Sequence, residues 1–404
     1  MRYLSIVPLP ATCTGNGMFS CGVYEMNRQK NICSLFKAAW IVPLLFFLAF
    51  TYVFINTAWL EDDIFITFRA VDNFLKGYGP VWNVGERVQV YTHPLWYALL
   101  VTGIGIFKHH YWFTLALSYA CLLGTLFLLL KIMRHGNVVL GIFASVALLL
   151  SRAFIDYSSS GLENPLLHVL LCAYVLVALT QQDAAKRFFQ TSMLYGLLFL
   201  TRPDSIFLVT PASLWMLWQA YKASGWRYTI KLALLAIIPV LVWEAFSLIY
   251  YGSLVPNTAI AKTNLGYPRA EMLARGWEYL KHSFRVDPLT LGTVMLAAPI
   301  SLVLGKNHLP RLLMAGVALQ IIYICNVGGD YMQGRFLTTS LLTSVIAIAL
   351  SKLWNTTNKT ALLYTVAGGY SMCCLASCSA PDYGKYQILS KLFNKIAIEL
   401  SGNA

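Results

Sequence analysis

AAWIVPLLFFLAFTYVFINTA, residues 38–58, is an uncharged and mostly apolar stretch, and similar stretches recur along the 404-residue chain. Hydrophobic residues make up 58% of the sequence and charged residues only 12%, whereas about a quarter of an ordinary soluble domain is charged. One helical crossing of a bilayer needs about 20 mostly apolar residues. The composition therefore excludes a soluble single-domain protein and predicts a polytopic membrane protein.

The apolar stretches predict an all-α fold with about eleven transmembrane helices. The predicted spans lie near residues 38–58, 111–130, 136–153, 164–180, 187–201, 203–220, 229–249, 288–304, 310–326, 335–353 and 360–380. A further apolar stretch, Pro94–Phe107, is short for a crossing, and counting it as one would place Lys131 and Arg134 outside. We therefore interpret it as a re-entrant or interfacial helix on the outer face.

These spans divide the chain into three parts. Residues 1–37 are expected to form a disordered cytoplasmic segment, residues 38–380 a transmembrane domain, and residues 381–404 a short outer tail. Within the membrane domain, residues 59–110 form the first outer loop. This loop is expected to carry interfacial helices and the catalytic side chains.

The net charge of +13 is unevenly distributed along the chain. With the N-terminus in the cytoplasm, one side of the membrane receives half of the Lys and Arg residues and, of the acids, only Glu25 and Asp183. Such an excess of cations marks cytoplasmic loops, and anionic lipid headgroups would reinforce it. The charge is a topology signal and does not imply nucleic acid as a partner. The nine cysteines contain no C-x-x-C pair, so neither a zinc site nor a disulfide framework is predicted.

The first outer loop begins with three consecutive acids, Glu61, Asp62 and Asp63. Apolar residues then recur at helical spacing up to Leu75, which predicts an amphipathic helix at the interface. Asp62 and Asp63 could cap this helix, where its dipole favours anions. The adjacent pair is equally suited to deprotonating an acceptor hydroxyl or to holding a hard divalent cation such as Mg²⁺, Mn²⁺ or Ca²⁺. Spacing alone does not decide between capping and catalysis.

Four further polar segments fall on the same predicted face. They place Glu163 before a span, Arg202 and an aspartate in a tight turn, Lys262 in a loop, and Asp330 and Arg335 in a glycine-rich segment. Each alone is explained by a helix cap, a turn or a snorkelling cation. Together they put acids beside cations on one membrane face, as binding of a membrane-anchored phosphate requires.

At these motifs the sequence resembles the GT-C superfamily of membrane glycosyltransferases, which use polyprenyl-phosphate-linked sugars. Within it, the chain is most similar to the terminal arabinofuranosyltransferases of mycobacterial cell-wall synthesis. The matching motifs are Asp62-Asp63, G-x-G-P-V-x-N-x-G-E-R at 77–87, Y-T-x-P at 91–94, G-L-E at 161–163, T-R-P at 201–203, Y-Y-G-x-L-V-P-N-T at 250–258 and G-G-D at 328–330.

The resemblance implies a GT-C fold and a direct displacement on the outer face of the bacterial inner membrane. An acceptor hydroxyl on a cell-envelope glycan, glycolipid or protein would attack the donor sugar and invert its anomeric centre. Asp62 or Asp63 would be the base, and the two carboxylates would ligate a divalent cation. The residues predicted to bind donor phosphate or substrate are Arg69, His93, Glu163, Arg202, Lys262, Asp330 and Arg335.

Two departures from the family pattern bear on this prediction. His93 stands where relatives often carry Ser or Asn, so a structural hydrogen bond is the preferred interpretation of this side chain. After the last predicted span only residues 381–404 remain, whereas the mycobacterial enzymes end in a sizeable outer domain. The difference favours a smaller acceptor than a polysaccharide.

Two other function classes were weighed. A transporter or flippase of a lipid-linked saccharide would have polar groups near the middle of the membrane. In this chain the predicted spans are nearly uncharged, and Glu244 is the exception. A membrane O-acyltransferase would need a histidine within a span, and His168, the nearest candidate, is more simply a structural residue. The chain also has no Rossmann or P-loop glycine motif for a soluble nucleotide sugar. The one-sided polar groups therefore favour the glycosyltransferase.

Overall fold

The computed structural model describes residues 43–257, 267–304 and 308–351, and all regular secondary structure in these ranges is helical. The chain divides into two compact units, residues 1–51 and 52–404. Of the first unit, the described part is the beginning of an apolar helix, Pro43–Thr57. The site lies within the second unit.

The helices are numbered in chain order from this first one. They are α1 Pro43–Thr57, α2 Asp62–Leu75, α3 Pro94–Phe107, α4 His110–Met133, α5 Val138–Leu150, α6 Arg152–Ser159, α7 Asn164–Thr180, α8 Ala184–Thr201, α9 Thr210–Ser224, α10 Trp226–Tyr251, α11 Arg269–Val286, α12 Pro288–Leu304, α13 His308–Asn326 and α14 Thr338–Leu350. Two 3-10 helices, Pro203–Leu208 and Arg335–Leu337, precede α9 and α14.

Within the described ranges, α4, α10 and α13 are each long and apolar enough to cross a bilayer. Counting each of three sharply bent helix pairs as one span raises the number to six. The pairs are α1 with α2, α5 with α6, and α11 with α12. The prediction of an all-α membrane protein is confirmed, whereas the count of eleven is not tested, and the predicted span at 360–380 lies outside the described residues.

One predicted span, residues 136–153, is broken after α5. Ser151 adopts an extended conformation (φ −73°, ψ 119°) and its hydroxyl accepts a hydrogen bond from the Phe154 amide, so it caps a new helix, α6. The two helix axes are bent by 68°. The same hydroxyl donates to Asp287 Oδ2 at 3.1 Å. Local side-chain bonding therefore ends a run that hydropathy alone reads as continuous.

The predicted span at 203–220 also begins irregularly. Pro203 has no backbone N–H to continue α8, and the preceding Arg202 is extended (φ −163°, ψ 112°). A 3-10 helix follows before α9 begins. Arg202 therefore leaves the helical direction at the joint between α8 and α9, where its side chain can reach a neighbouring helix.

Helix α11 is an element that the sequence analysis did not predict between the spans at 229–249 and 288–304. It is amphipathic and packs against α13. A Cβ on Gly276 would lie 2.5 Å from the Cys325 backbone, so the two helices approach as closely as a glycine allows. At its end the chain turns by 108° into α12.

Helix α14 forms the centre of the described bundle. All of its residues are buried, and it packs against α5, α7, α12 and α13. The 3-10 helix that leads into it carries Arg335. Arg335 is therefore attached directly to the most enclosed element of the bundle.

Candidate active site

The acidic end of α2 is open to its surroundings. The N-cap residue is Glu61, whose side chain makes no capping hydrogen bond, and Asp62 and Asp63 lie in the first turn. Asp62 is exposed and Asp63 half-buried. The expectation that the two aspartates cap the helix by hydrogen bonding is not met, although their charges still suit the helix dipole.

Glu163 is the centre of a buried ion cluster formed with Arg202 and Arg335. The Glu163 side chain is fully buried just before α7. Its Oε1 lies 3.2 Å from Arg202 Nη1 and 2.9 Å from Arg335 Nη2, and its Oε2 accepts from the same Arg335 nitrogen at 3.2 Å. Burial alone would raise the pKa of Glu163, but Arg335 and Arg202 outweigh it and hold the pKa well below its usual range. Glu163 is therefore a fixed anion.

Arg202 is held by two carboxylates. Besides Glu163, its Nε donates to Asp204 Oδ1 at 2.8 Å, and its guanidinium lies 4.2 Å from the ring centre of Phe336. Asp204 in turn accepts a hydrogen bond from Gln320 Nε2 at 3.0 Å. Burial lowers the pKa of Arg202, but the two carboxylates raise it further than burial lowers it. The charge of this arginine is thus offset within the protein.

Arg335 links the buried cluster to the open end of α2. Its Nη2 binds Glu163, while its Nη1 lies 3.9 Å from Asp63 Oδ2 and 3.9 Å from Asp330 Oδ2. These last two distances are too long for direct hydrogen bonds. Nη1 lies 3.1 Å from the Met332 sulfur, and the buried Nε has no hydrogen-bond partner. Arg335 therefore retains hydrogen-bonding capacity on the side that faces Asp63 and Asp330.

His93 lies beside Glu163 at the start of α3. Its Nδ1 is 3.6 Å from Glu163 Oε2, and its Nε2 is 3.2 Å from the Thr67 hydroxyl on α2. Burial lowers the pKa of His93 despite the nearby carboxylate. The neutral imidazole thus hydrogen-bonds to α2 and lies beside the cluster, in line with the structural hydrogen bond expected from the sequence.

The loop before Glu163 is fixed by a glycine and a tryptophan. Gly161 has a φ of +82°, which a residue with a Cβ adopts only with strain, and its added Cβ would lie 2.8 Å from Leu60. The Trp96 indole donates to the Gly161 carbonyl at 2.9 Å. Leu162, between the two motif residues, is buried in the apolar cluster beneath α2 and α3. The G-L-E motif therefore fits Glu163 into a tightly packed turn.

Two of the predicted phosphate-binding or substrate-binding residues are not seen in this cluster. Arg69 instead donates to the Trp82 carbonyl at 3.0 Å and lies 4.4 Å from the centre of that indole ring. Asn73 also donates to the Trp82 carbonyl, at 2.9 Å. Arg69 thus helps to hold the glycine-rich loop at 77–87 against α2. Lys262 lies outside the described residues, and its role stays a prediction.

The Y-Y-G-x-L-V-P-N-T motif contacts the loop that follows α2. Tyr251 donates to the Pro80 carbonyl at 2.7 Å and meets the Tyr91 hydroxyl at 3.1 Å. The Asn257 side chain accepts from the Gln89 amide at 3.2 Å. In the described part of the motif, these contacts brace the loop that follows α2.

Two groups beside the aspartates were not among the predicted site residues. Burial and the adjacent Asp62 raise the pKa of Glu61 to about 7. Burial and the neighbouring Asp63 carboxylate raise the pKa of Tyr331, next to Asp330, well above its usual range. The run of three acids and the G-G-D-Y segment were the available signals, but neither shows which neighbour faces Asp63.

Metal binding by Asp62 and Asp63 was tested against the surrounding side chains. Among the residues that the structure describes, no group of three or more His, Cys, Asp and Glu side chains is placed to hold a metal ion. Asp63 faces the Arg335 guanidinium instead. The described side chains alone do not make a metal site, so the divalent cation stays a prediction.

The fold and the cluster define an all-helical membrane protein in which distant motifs meet around one buried carboxylate. Two curated proteins are similar to this chain, both named terminal beta-(1->2)-arabinofuranosyltransferase. The one from Corynebacterium glutamicum is 29% identical over 341 residues, which cover 72% of this chain and 48% of the relative. The one from Mycobacterium tuberculosis is 28% identical over 330 residues, which cover 70% of this chain and 51% of the relative.

The chain therefore spans about half the length of the curated relatives it matches. No family model matches the sequence, and no solved structure matches it. The similarity to the two relatives confirms the resemblance to the arabinofuranosyltransferase family that the motifs predicted.

Proposed function

We propose that this protein is a membrane glycosyltransferase that moves a sugar from a polyprenyl-phosphate donor to an acceptor hydroxyl. The relatives' name supports arabinofuranose as the sugar and a 2-hydroxyl as the acceptor group. The structural observation that carries the proposal is Arg335, which binds buried Glu163 with one nitrogen and faces Asp63 and Asp330 with the other. This geometry sets an anchored cation beside an accessible base.

Asp63 is the preferred general base. Its side chain is 34% exposed, against 7% for Asp330 and 1% for Glu163, so among these three it is the most open to an acceptor. In the reaction Asp63 takes the proton of the acceptor hydroxyl as the hydroxyl oxygen bonds to the anomeric carbon. Asp62 remains the alternative base.

Arg335 is the preferred partner for the departing phosphate. The bond from the anomeric carbon to the phosphate oxygen breaks as the new bond forms, and the leaving group gains negative charge. Arg335 has a buried Nε without a partner and an Nη1 whose carboxylate neighbours are 3.9 Å away. Arg202, which is already bound to two carboxylates, is better suited to positioning Glu163.

A single displacement inverts the anomeric centre. If the product carries a β linkage, as in the relatives' name, the donor phosphate must then be α-linked. We propose the non-cytoplasmic face of a bacterial inner membrane as the location, because the basic-residue asymmetry supports this orientation for the loop that carries Asp63. The lipid part of the donor would reach the site from the bilayer.

The proposal is tested with purified protein in liposomes. Synthetic polyprenyl-phosphate arabinofuranose of each anomer, the corresponding hexose donors and nucleotide sugars are supplied with an octyl arabinofuranoside acceptor. We expect a β-1,2-linked product, identified by mass and NMR, from the α-linked lipid donor alone. Turnover of a β-linked donor to a β product would exclude the single displacement. Turnover only with nucleotide sugars, or lipid movement without product, would overturn the glycosyltransferase proposal.

A further inference from the structure

A cavity of about 180 Å³ lies beside the segment that carries Arg335. Its lining includes Trp59, Arg152, Asp156, Tyr157, Ser283 and Gln333. Pockets for drug-sized ligands usually measure about 300–1,000 Å³. The space therefore suits one small ring and not an extended chain.

The lining offers hydrogen bonds without a spare positive charge. Arg152 is the only Lys or Arg among the described lining residues, and its Nε pairs with Asp156 Oδ2 at 3.2 Å. The Ser283 side chain is 3% exposed, and its hydroxyl is buried without a hydrogen-bond partner. A buried hydroxyl without a partner is costly, so a ligand that supplies one would bind favourably.

An aromatic side chain completes this chemistry. The Trp59 indole nitrogen is bound to the Asp156 carbonyl at 3.0 Å, which fixes the ring in the cavity wall. A fixed indole offers an apolar surface, and side-chain hydroxyls and amides offer hydrogen bonds. This combination fits a neutral polyhydroxylated ring, and it does not fit an anionic phosphate.

The cavity adjoins the proposed reacting groups through three connections. Trp59 is on the short segment that leads into Asp62 and Asp63, and Gln333 and Gly334 directly precede Arg335. The charges of Glu61 and Arg335 act on the Tyr157 hydroxyl: burial and Glu61 raise its pKa, and Arg335 lowers it. A ring bound in the cavity would thus lie beside the base and the phosphate-binding arginine.

We infer that this cavity binds the terminal sugar ring of the acceptor, an inference that rests on the proposed glycosyltransferase function. The donor phosphate would bind Arg335, and the acceptor ring would bind in the neighbouring cavity, whose two aspartates, Asp156 and Asp287, disfavour an anion. Ser283, a residue of α11, then becomes a binding residue for the acceptor. Helix α11 would thereby contribute to the specificity of the enzyme for its acceptor.

The test compares kinetics of reconstituted variants with the lipid-linked donor and the octyl arabinofuranoside acceptor. Ser283→Ala removes the unpartnered hydroxyl, and we expect the acceptor KM to rise roughly 3- to 10-fold, the equivalent of one hydrogen bond. The donor KM should not change and the melting temperature should not fall, because the hydroxyl has no partner within the protein. The matched control is Ser301→Ala, which removes another buried, unpartnered hydroxyl that does not line the cavity.

A second pair of variants changes volume. Val286→Phe fills the cavity from its wall, and Leu273→Phe adds the same ring at an exposed position of the same helix. The filled variant should raise the acceptor KM at least about 10-fold, while the control should behave as wild type. An unchanged acceptor KM in both Ser283→Ala and Val286→Phe, or a rise in donor KM instead, overturns the acceptor site. Absence of wild-type transfer from every lipid-linked donor overturns the proposed function itself.

Discussion

Glu163 and Asp63 contact the same arginine but have opposite surroundings. Glu163 is buried in the bundle, 1% exposed, and its Oε1 lies 2.9 Å from Arg335 Nη2 and 3.2 Å from Arg202 Nη1. Asp63 is 34% exposed and 3.9 Å from Arg335 Nη1. A buried carboxylate that is saturated by two cations can hold structure but has no room to accept a proton from a substrate. We therefore expect the exposed Asp63 to react with substrate and the buried Glu163 to stabilise the fold.

The largest expected effect comes from the open carboxylate. Asp63→Asn should lower kcat by about 10²–10⁴-fold, the usual loss on removing a general base. Its melting temperature in detergent should stay close to wild type, since the side chain is partly exposed. Asp72→Asn on the same helix, where Asp72 pairs with His110 at 2.8 Å, is the matched control. Near-normal turnover by Asp63→Asn would move the base elsewhere.

The buried carboxylate should respond in the opposite manner. Glu163→Gln leaves two buried guanidinium groups without their shared anion, and breaking such a buried pair costs about 3–5 kcal/mol. We expect a large loss of thermal stability, measured as the melting temperature in detergent. Combining it with Arg202→Gln should cost less than the sum of the two single changes. A Glu163→Gln variant that melts as wild type would show that the cluster does not stabilise the fold.

A smaller effect is expected at Arg69, which the sequence analysis grouped with the phosphate-binding residues. Arg69→Gln removes a hydrogen bond and a cation–π contact to Trp82, together worth about 1–2 kcal/mol. The melting temperature should fall modestly while the donor KM stays unchanged. Arg335→Gln, assayed in parallel, should raise the donor KM. A rise in donor KM for Arg69→Gln as large as that for Arg335→Gln would show that Arg69 also binds the donor phosphate.

The smallest effect concerns pH. The pKa of Glu61 is raised from 4.5 to about 7, so the folded protein favours the protonated form. The resulting stabilisation is complete below about pH 4.5 and is lost as the pH rises through about 7. Because Glu61 is partly exposed, the change should be about 1 kcal/mol or less. Wild type should melt lower at about pH 8 than at pH 6, and Glu61→Gln should show a smaller difference.

The fold could be predicted where apolar character and helix signals coincide. Helix α7 starts at Asn164-Pro165 and ends at Thr180, as the sequence predicts, because proline favours the first turn of a helix. The break at Ser151 was missed because mean hydropathy carries no capping signal: the Ser151 hydroxyl bonds to the Phe154 amide and also to Asp287, which is distant in sequence. Helix α11 was missed because it is amphipathic: charged residues alternate with apolar ones along its sequence, so the mean hydropathy of a window stays low.

The site could be predicted as a set of motifs but not as a geometry. The structure brings together Glu163, Arg202 and Arg335, which the motifs had grouped on one predicted face. The difference between the two arginines depends on packing. Arg202 already binds Asp204 through its Nε, whereas the Nε of Arg335 has no hydrogen-bond partner. Sequence spacing carries no information on which nitrogen of an arginine is already bonded.

The position of Arg335 in the chain also bears on how the protein is made. Arg202 follows Glu163 by 39 residues, and Arg335 follows it by 172. A chain synthesised from its N-terminus therefore carries Glu163 with only one of its two arginines until Arg335 has been added. The cluster closes only when the segment leading into α14 has been synthesised, so completion of the charge pairing coincides with arrival of the central helix.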